Sequence, residues 1–469
     1  MPTTALATIL MGLPLLQPRQ APQPFPEGVW TDFRNGEESH GLEYMEAFQC
    51  SHKVTEIDGV GCAQTIPPSA GMYLQFQAPR DMIMADRDTL TFEVEVYDGD
   101  PHPFMLEVES TTPSVATGER FFRTLPTVQR RNTKTWRWVR WQVTDPAFCD
   151  PNRDAVRFCF YDEAWWNDGR LLSISQVRVT HEALVFRPQQ EAVLCGERLP
   201  VTIEAYDKAG QPLADGTEVK LASRAGQALA ERPRKSVTLA GGKADFEIAT
   251  GPTPGTVWLY GSIAGSKNWT GTAIHVLAGQ GQLEERTDLV TGEQLAATAR
   301  FQGPAVADST VDTFTDDQGQ VALRGHCTWK PNVRTDDTRL VLNVPIAGVP
   351  KRFCVYLGCP DQSVDSAWAR VRDRTGECFS YCLEPRGEGR CLPPFAERCL
   401  DAHATAGPSY MEGPGRADGV IDLPCTLWYI DVTPMEGCPE AEIDVWGVET
   451  DVLAPPIGPE GWAGGKAEQ

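Results

Sequence analysis

The sequence predicts an all-β protein built as three β-sandwich domains in series. Glycine (42) and proline (37) are frequent among the 469 residues, which favours short strands and turns over long helices. Apolar and polar residues alternate at period two in segment after segment, as in LTFEVEVY over 90–97, the pattern of a strand with one buried face. The length points the same way, because about 100–200 residues per domain makes two to four domains. No internal run of about 18 apolar residues occurs, so no membrane-spanning helix is expected.

Residues 1–26 read as a signal segment and a Pro-rich linker. ALATILMGLPLL over 5–16 has the length of a signal h-region, without a basic n-region before it or an A-x-A site after it. QPRQAPQPFP over 17–26 then leads into the first domain, 27–185. Its strands are 90–97, 104–108 (FMLEV), 136–143 (WRWVRWQV), 155–161 (AVRFCFY) and 171–179 (LLSISQVRV). The short D-G-D-P turn at 98–101 makes a hairpin of the first two. This order of Y-D-G, T-W, T-D-P-A-F, D-A-V-R-F and I-S-Q-V-R-V resembles the galactose-binding-like jelly rolls attached to bacterial extracellular carbohydrate-active proteins. That resemblance implies a glycan-binding module. It carries no calcium over to this domain, because Ser175 and Gln176 stand where such modules place acidic ligands.

From 186 to 280 the texture changes. D-K-A-G-Q-P-L-A-D-G-T over 207–217, then G-K-A at 242–244 and P-G-T-V at 254–257, resembles the bacterial Ig-like domains of the invasin and intimin type. Such domains are spacers, and this one carries a net charge of +1. Gly216 is expected at positive φ in its turn. The third domain, 281–452, shows strands at 353–357, 367–373, 378–383, 426–432 and 442–448, with a Cys-rich insertion at 384–424. Trp368, Arg370, Arg372 and Asp373 make it resemble a second jelly roll found beside glycan-processing domains. Residues 453–469 form a Pro/Gly-rich tail expected to be disordered.

Alternation converts these strands into surfaces. With Phe92, Val94, Leu106 and Val108 inward, the other face carries Glu93, Glu95, Tyr97, Glu107 and Glu109. A symmetric hairpin would set Glu95 opposite Glu107. Trp138, Arg140, Arg157 and Tyr161 would point outward beside them. Such a mixture suits a sugar, whose C–H face stacks on aromatic rings and whose hydroxyls bond carboxylates and guanidinium groups. It also suits a solvated face laced with Glu–Arg pairs, each worth on the order of 0–1 kcal/mol. Trp165 and Trp166, adjacent in a polar loop ending at Gly169, are candidate stacking residues or lids on the core. In the third domain Trp368, Arg370 and Arg372 share a face, joined in this reading by Tyr356; they form either a ligand patch or a stabilising Arg–Trp stack. The turn at 374–376 sets Arg372 beside Cys378 and Arg370 beside Ser380. The resemblance implies that structural calcium, the one candidate cofactor, would sit at Asp444 and Asp312.

The net charge is −22, distributed as −9 over 1–185, +1 over the spacer, −13 over 281–452 and −1 in the tail. This excludes a nucleic-acid binder and disfavours polyanionic glycans. The fourteen cysteines contain no C-x-x-C, leaving disulfides of an exported protein or small buried thiols. No G-x-S-x-G, H-E-x-x-H or P-loop occurs, so no catalytic residue is assigned. The expected function is noncatalytic binding of a polysaccharide or glycoconjugate, neutral sugars favoured, by an extracytoplasmic secreted or cell-surface protein. The alternatives are a structural or adhesive surface protein without sugar binding, and a glycosidase or lyase using a carboxylate pair such as Glu95 and Glu107.

Overall fold

The computed structural model describes residues 28–45, 52–66, 73–79, 89–110, 121–125, 128–144, 155–162, 171–224, 228–231, 236–330, 338–383, 392–402, 410–412 and 419–456. These residues form strands and one short helix, Gly292–Ala296. The strands make six sheets stacked in pairs over three main apolar cores. The expected all-β series of sandwiches is what the chain builds.

In the first sandwich, one sheet runs Trp136–Thr144, Thr89–Tyr97, Ser173–Thr180, Val29–Asp32, Glu38–His40. The facing sheet runs Val128–Gln129, Pro103–Ser110, Ala155–Asp162, Tyr73–Pro79, Glu43–Tyr44. Aromatic rings fill the space between them: Phe92 meets Phe158 edge-on at 4.9 Å and Phe104 meets Trp141 at 5.6 Å.

The expected hairpin of 90–97 with 104–108 does not form. Thr89–Tyr97 and Pro103–Ser110 lie in opposite sheets, and the partner of Tyr97 is Trp136. The physical reason sits in the connection. Asp98, 1% exposed, accepts hydrogen bonds from the Arg131 amide (2.6 Å), the Asn132 amide (2.9 Å) and the Thr133 hydroxyl (2.9 Å). The wholly buried Arg130 side chain donates to His102 O at 2.9 Å and pairs with Asp100 at 2.8 Å. These bonds fasten 98–102 to 130–133, so the chain crosses the core instead of turning back beside itself.

The second sandwich pairs a three-stranded sheet (Ala183–Pro188, Arg198–Tyr206, Lys243–Ala249) with a five-stranded one (Ala192–Leu194, Thr270–Leu277, Gly255–Ile263, Glu218–Arg224, Ser236–Thr238). Asp207 Oδ1 closes its D-K-A-G turn by accepting the Ala209 and Gln211 amides at 2.9 and 2.8 Å. Gly216 takes φ +84°, as expected.

In the third sandwich, Val306–Thr315, Val321–Trp329, Glu440–Ala454, Val349–Gly358 and Ala396–Asp401 form one sheet, with Glu284–Thr291 also on Glu440–Ala454. Arg300–Gln302, Arg339–Ile346, Cys425–Pro434, Val364–Arg372, Glu377–Cys382 and Tyr410–Met411 form the other. The 374–376 turn sets Arg372 against Cys378 and Arg370 against Ser380, as read from the sequence. Cys354 and Cys399 are joined as a disulfide across neighbouring strands.

The sandwiches touch end to end. The Gln142 side-chain amide both donates to Leu184 O (2.9 Å) and accepts from Leu184 N (2.8 Å) at the first junction. Ala192, Leu194, Leu277 and Val349 share a small apolar cluster at the second.

Burial alone would raise the Asp98 carboxyl, but the Thr133, Arg131 and Asn132 hydrogen bonds and the Arg137 charge outweigh it and hold it below the ordinary 3.8. A depressed carboxyl contributes stability that is complete above its unfolded value and lost as pH falls through the folded one. Asp98→Asn should therefore lower the urea midpoint at neutral pH and flatten its fall below about pH 4; an unchanged acid limb would show that Asp98 does not hold the crossing.

Candidate functional site

The structure divides the residues expected to form one glycan face in the first sandwich. Glu95, Tyr97, Trp138 and Arg140 do share the outer face of one sheet, in rows pairing Trp138 with Glu95 and Gln176, and Arg140 with Glu93 and Arg178. Glu107 and Arg157 belong to the opposite sheet, where Glu107 is 8% exposed and accepts from the Cys159 thiol at 3.5 Å. The Glu95–Glu107 pair is therefore overturned, and with it the carboxylate dyad for a glycosidase. Tyr161 pairs with Tyr73 and Met105 in that same opposite sheet. Trp165 and Trp166 lie outside the described residues.

Sequence reasoning missed how fully this first face is internally bonded. Arg178 lies 4.8 Å over the Trp138 ring and donates to Gln176 at 2.6 Å. Gln176 in turn donates to Asp32 at 2.8 Å, and Arg34 Nε bonds both oxygens of that carboxylate. Ser175 donates to Glu95 at 2.6 Å, and Arg140 donates to Glu182 at 2.9 Å. Tyr97 donates to Asp58 at 3.1 Å. A bulge between Ile174 and Gln176 displaces the alternation there, which is why Gln176 and Arg178 were not read as members.

In the third sandwich Trp368, Arg370 and Arg372 share the outer face of one sheet, with Ala367, Ala369 and Val371 in the core. Arg370 lies over Trp368 (5.6 Å), Arg372 over Trp428 (4.8 Å) and Arg339 over Tyr429 (4.8 Å). Arg370 also pairs with Asp431 at 3.2 Å, and Arg339 with Glu412 at 3.2 Å. This is a stabilising lattice of guanidinium groups on rings. Tyr356, expected among them, stands in the opposite sheet.

The acidic pair Asp312 and Asp444 flanks Arg324 in register. Arg324 grips Asp444, itself 1% exposed, through two bonds of 2.8 and 2.7 Å. The cation facing Asp444 is thus a guanidinium, and calcium there would have to displace it. Cys354, Glu397 and Cys399 also lie close enough to share a metal, but the two sulfurs are bonded to each other.

One site differs in kind from these bonded faces. A groove of about 450 Å³ opens on the sheet that carries Tyr356. Leu289, Thr291, Glu293, Gln320, Val321, Tyr356, Phe395, Trp446, Gly447 and Glu449 line it. The strand Glu440–Ala454 makes its floor: Leu357 pairs with Val445 and Tyr356 with Gly447, so Trp446 is the extra residue of a bulge. A bulge re-aims side chains locally, and the next residue, Gly447, lets the strand Glu284–Thr291 pack close: a Cβ there would stand 3.0 Å from Val290 O. Trp446 is fixed by its indole N–H donating to Asp316 (2.9 Å) and by edge contacts with Phe395 (5.0 Å) and Phe314 (6.1 Å). The Tyr356 hydroxyl donates to Glu449 at 3.4 Å. Burial first, then the Glu449 and Glu397 charges, push that phenol above its ordinary value. Leu289 (57%), Phe395 (54%) and Val321 (36%) remain exposed. The sequence signal was the W-G pair inside a strand.

No protein family's profile matches the chain, and no curated protein does. Among solved structures, the N-terminal tandem of two CBM22 domains from a Paenibacillus barcinonensis protein is 7% identical, covering 91% of this chain and 98% of that one at a TM-score of 0.24. A carbohydrate-binding-module structure of the β-sandwich superfamily is 12% identical, covering 58% and 91%, at 0.15. A 282-residue C-terminal fragment of intimin is 11% identical, covering 46% and 100%, at 0.18. They are of the kinds that the sequence resembles. At such scores they assign nothing to a residue, and the reading of the groove rests on its own chemistry.

Arg324→Met would leave Asp444 buried without its partner. Because Arg324 itself is about a third exposed, the loss should sit below the 3–5 kcal/mol of a fully buried pair, at about 2–3 kcal/mol. Urea denaturation measures it, and the unmutated chain should show the same midpoint with and without millimolar calcium. A midpoint raised by calcium would mean that the ion, not Arg324, serves Asp444.

Proposed function

We propose that this chain is a noncatalytic glycan-binding protein and that the groove of the third sandwich takes sugar rings. The observation that carries the reading is a 450 Å³ trough walled by Tyr356, Phe395 and Trp446, within the usual size range of small-ligand sites. A pyranose lays its C–H face on such rings, while Thr291, Gln320 and Glu449 stand at the wall to bond hydroxyls. Acidity supports uncharged sugars over anionic ones, because a field of −22 overall repels polyanions. The Cys354–Cys399 disulfide supports an oxidising, extracytoplasmic setting.

A purely adhesive role is the second reading, favoured by the exposure of Leu289, Val321 and Phe395 on one rim. Such apolar surface also suits a protein partner. A glycan array on the whole chain, followed by calorimetry on each hit, separates the two. Trp446→Ala should weaken binding at least tenfold, about 1.4 kcal/mol, with an unchanged circular dichroism spectrum. The Trp165→Ala plus Trp166→Ala variant reads the first sandwich's share. No binding to any glycan, together with self-association that Phe395→Ser abolishes, would replace this function with the adhesive one.

A further inference from the structure

Four rings on the outer sheet faces each lie under a guanidinium group. Arg178 covers Trp138 at 4.8 Å, Arg324 covers Phe314 at 3.9 Å, Arg372 covers Trp428 at 4.8 Å and Arg370 lies over Trp368 at 5.6 Å. The groove is built differently from those four places. Among the described residues no cation lies over Tyr356, Phe395 or Trp446, and the lining contains Glu293 and Glu449 but no Lys, Arg or His. Two more carboxylates stand behind the wall. Glu397 is the cross-strand neighbour of Tyr356, and Asp316 accepts the Trp446 indole N–H.

We infer that the ligand supplies the cation: the groove prefers sugars bearing a protonated amine, such as oligomers of glucosamine, over neutral sugars of the same size. The inference rests on the glycan-binding reading above and adds the charge of the ligand. An amino sugar offers both features that the site matches, an apolar C–H face for the rings and an ammonium group for their π faces and the carboxylates. The surrounding region has a net charge of −13, which raises the local concentration of cations and speeds their arrival. A neutral sugar gains the stacking alone. An anionic one meets Glu293, and Glu449, whose charge Arg352 partly answers at 3.5 Å.

Calorimetry on the whole chain tests this with three probes of equal length: fully deacetylated chitin oligomers, the N-acetylated oligomers and cello-oligosaccharides. The deacetylated oligomer should bind about tenfold more tightly than either neutral one. That ratio should shrink at high salt, where charge is screened, and at pH 9, where the amine is largely deprotonated. Glu293→Gln, at an exposed position that leaves the core intact, should also narrow it, and Trp446→Ala should weaken all three. Equal affinity for the three probes would overturn the inference and leave the glycan-binding reading in place. Failure of every sugar to bind would overturn that reading and this inference together. Binding of lysine-rich peptides but of no sugar would overturn it in favour of a basic protein partner.

Discussion

Guanidinium groups on the outer sheet faces neutralise carboxylates and cover rings, and at Arg324 and Arg370 one group performs both tasks. The chain has 64 acidic residues against 42 basic ones, so adjacent strands constantly present carboxylates to one another. Like charges on neighbouring strands repel, and a carboxylate as buried as Asp444 is costly without a partner. Arg324 resolves both problems at one place: it grips Asp444, pairs with Glu442 at 3.1 Å and lies over Phe314. Arg178 and Arg370 repeat the arrangement on other sheets, each stacked on a tryptophan and bonded to a polar neighbour. The groove's Tyr356, Phe395 and Trp446, beside Glu293 and Glu449, contrast with these guanidinium-covered rings.

What was legible in the sequence follows from what a strand's period can encode. Alternation separates the two faces of a strand, and Phe92, Val94, Leu106, Val108, Trp141, Phe158 and Phe160 are all in the first core as read. It does not encode which strand lies alongside. Two consecutive strands with inward apolar residues satisfy the same pattern whether they pair in one sheet or face each other across the core. The 374–376 turn left Arg372 no choice but Cys378, whereas the 98–102 connection was long enough to cross. The bonds of Asp98 and Arg130 that make it cross come from 130–133, about thirty residues away, and no local rule reveals them. Glu95 and Glu107 were separated for this reason.

The groove was hidden by the complementary failure. A bulge inserts one residue and breaks period two, so Trp446 cannot be assigned to a face by counting. The Asp316 carboxylate that fixes it arrives from a different strand end. Phe395 lies within the Cys-rich insertion, for which the sequence offered no strand. The structure puts Ala396–Asp401 beside Val349–Gly358 and joins Cys399 to Cys354. That covalent link fastens the wall carrying Phe395 to the strand carrying Tyr356. Other cysteines take the alternative role: burial pushes the Cys327 thiol up to about 11 and the Cys378 thiol up to about 12, which suits inert packing groups rather than nucleophiles.

The distribution of charge gives the division of labour between sheets a physical basis. Where acid and base alternate across strands, as in the Trp138 and Trp368 faces, the arginines already hold bonds or rings within the protein, and a ligand contacting them would have to compete with those contacts. Displacing a guanidinium from a ring and a carboxylate leaves both unpartnered, at a cost that a stacked sugar does not recover. At the groove Trp446 meets Phe395 and Phe314 in T-shaped contacts and gives its indole N–H to Asp316, with no guanidinium over Tyr356, Phe395 or Trp446 among the described residues. Of the two lining carboxylates, Glu449 is tied to a neighbour, through Arg352 at 3.5 Å. The same excess of acid over base that sets carboxylates against one another on the outer faces also puts Glu293 and Glu449 in the groove wall, where a ligand can reach them.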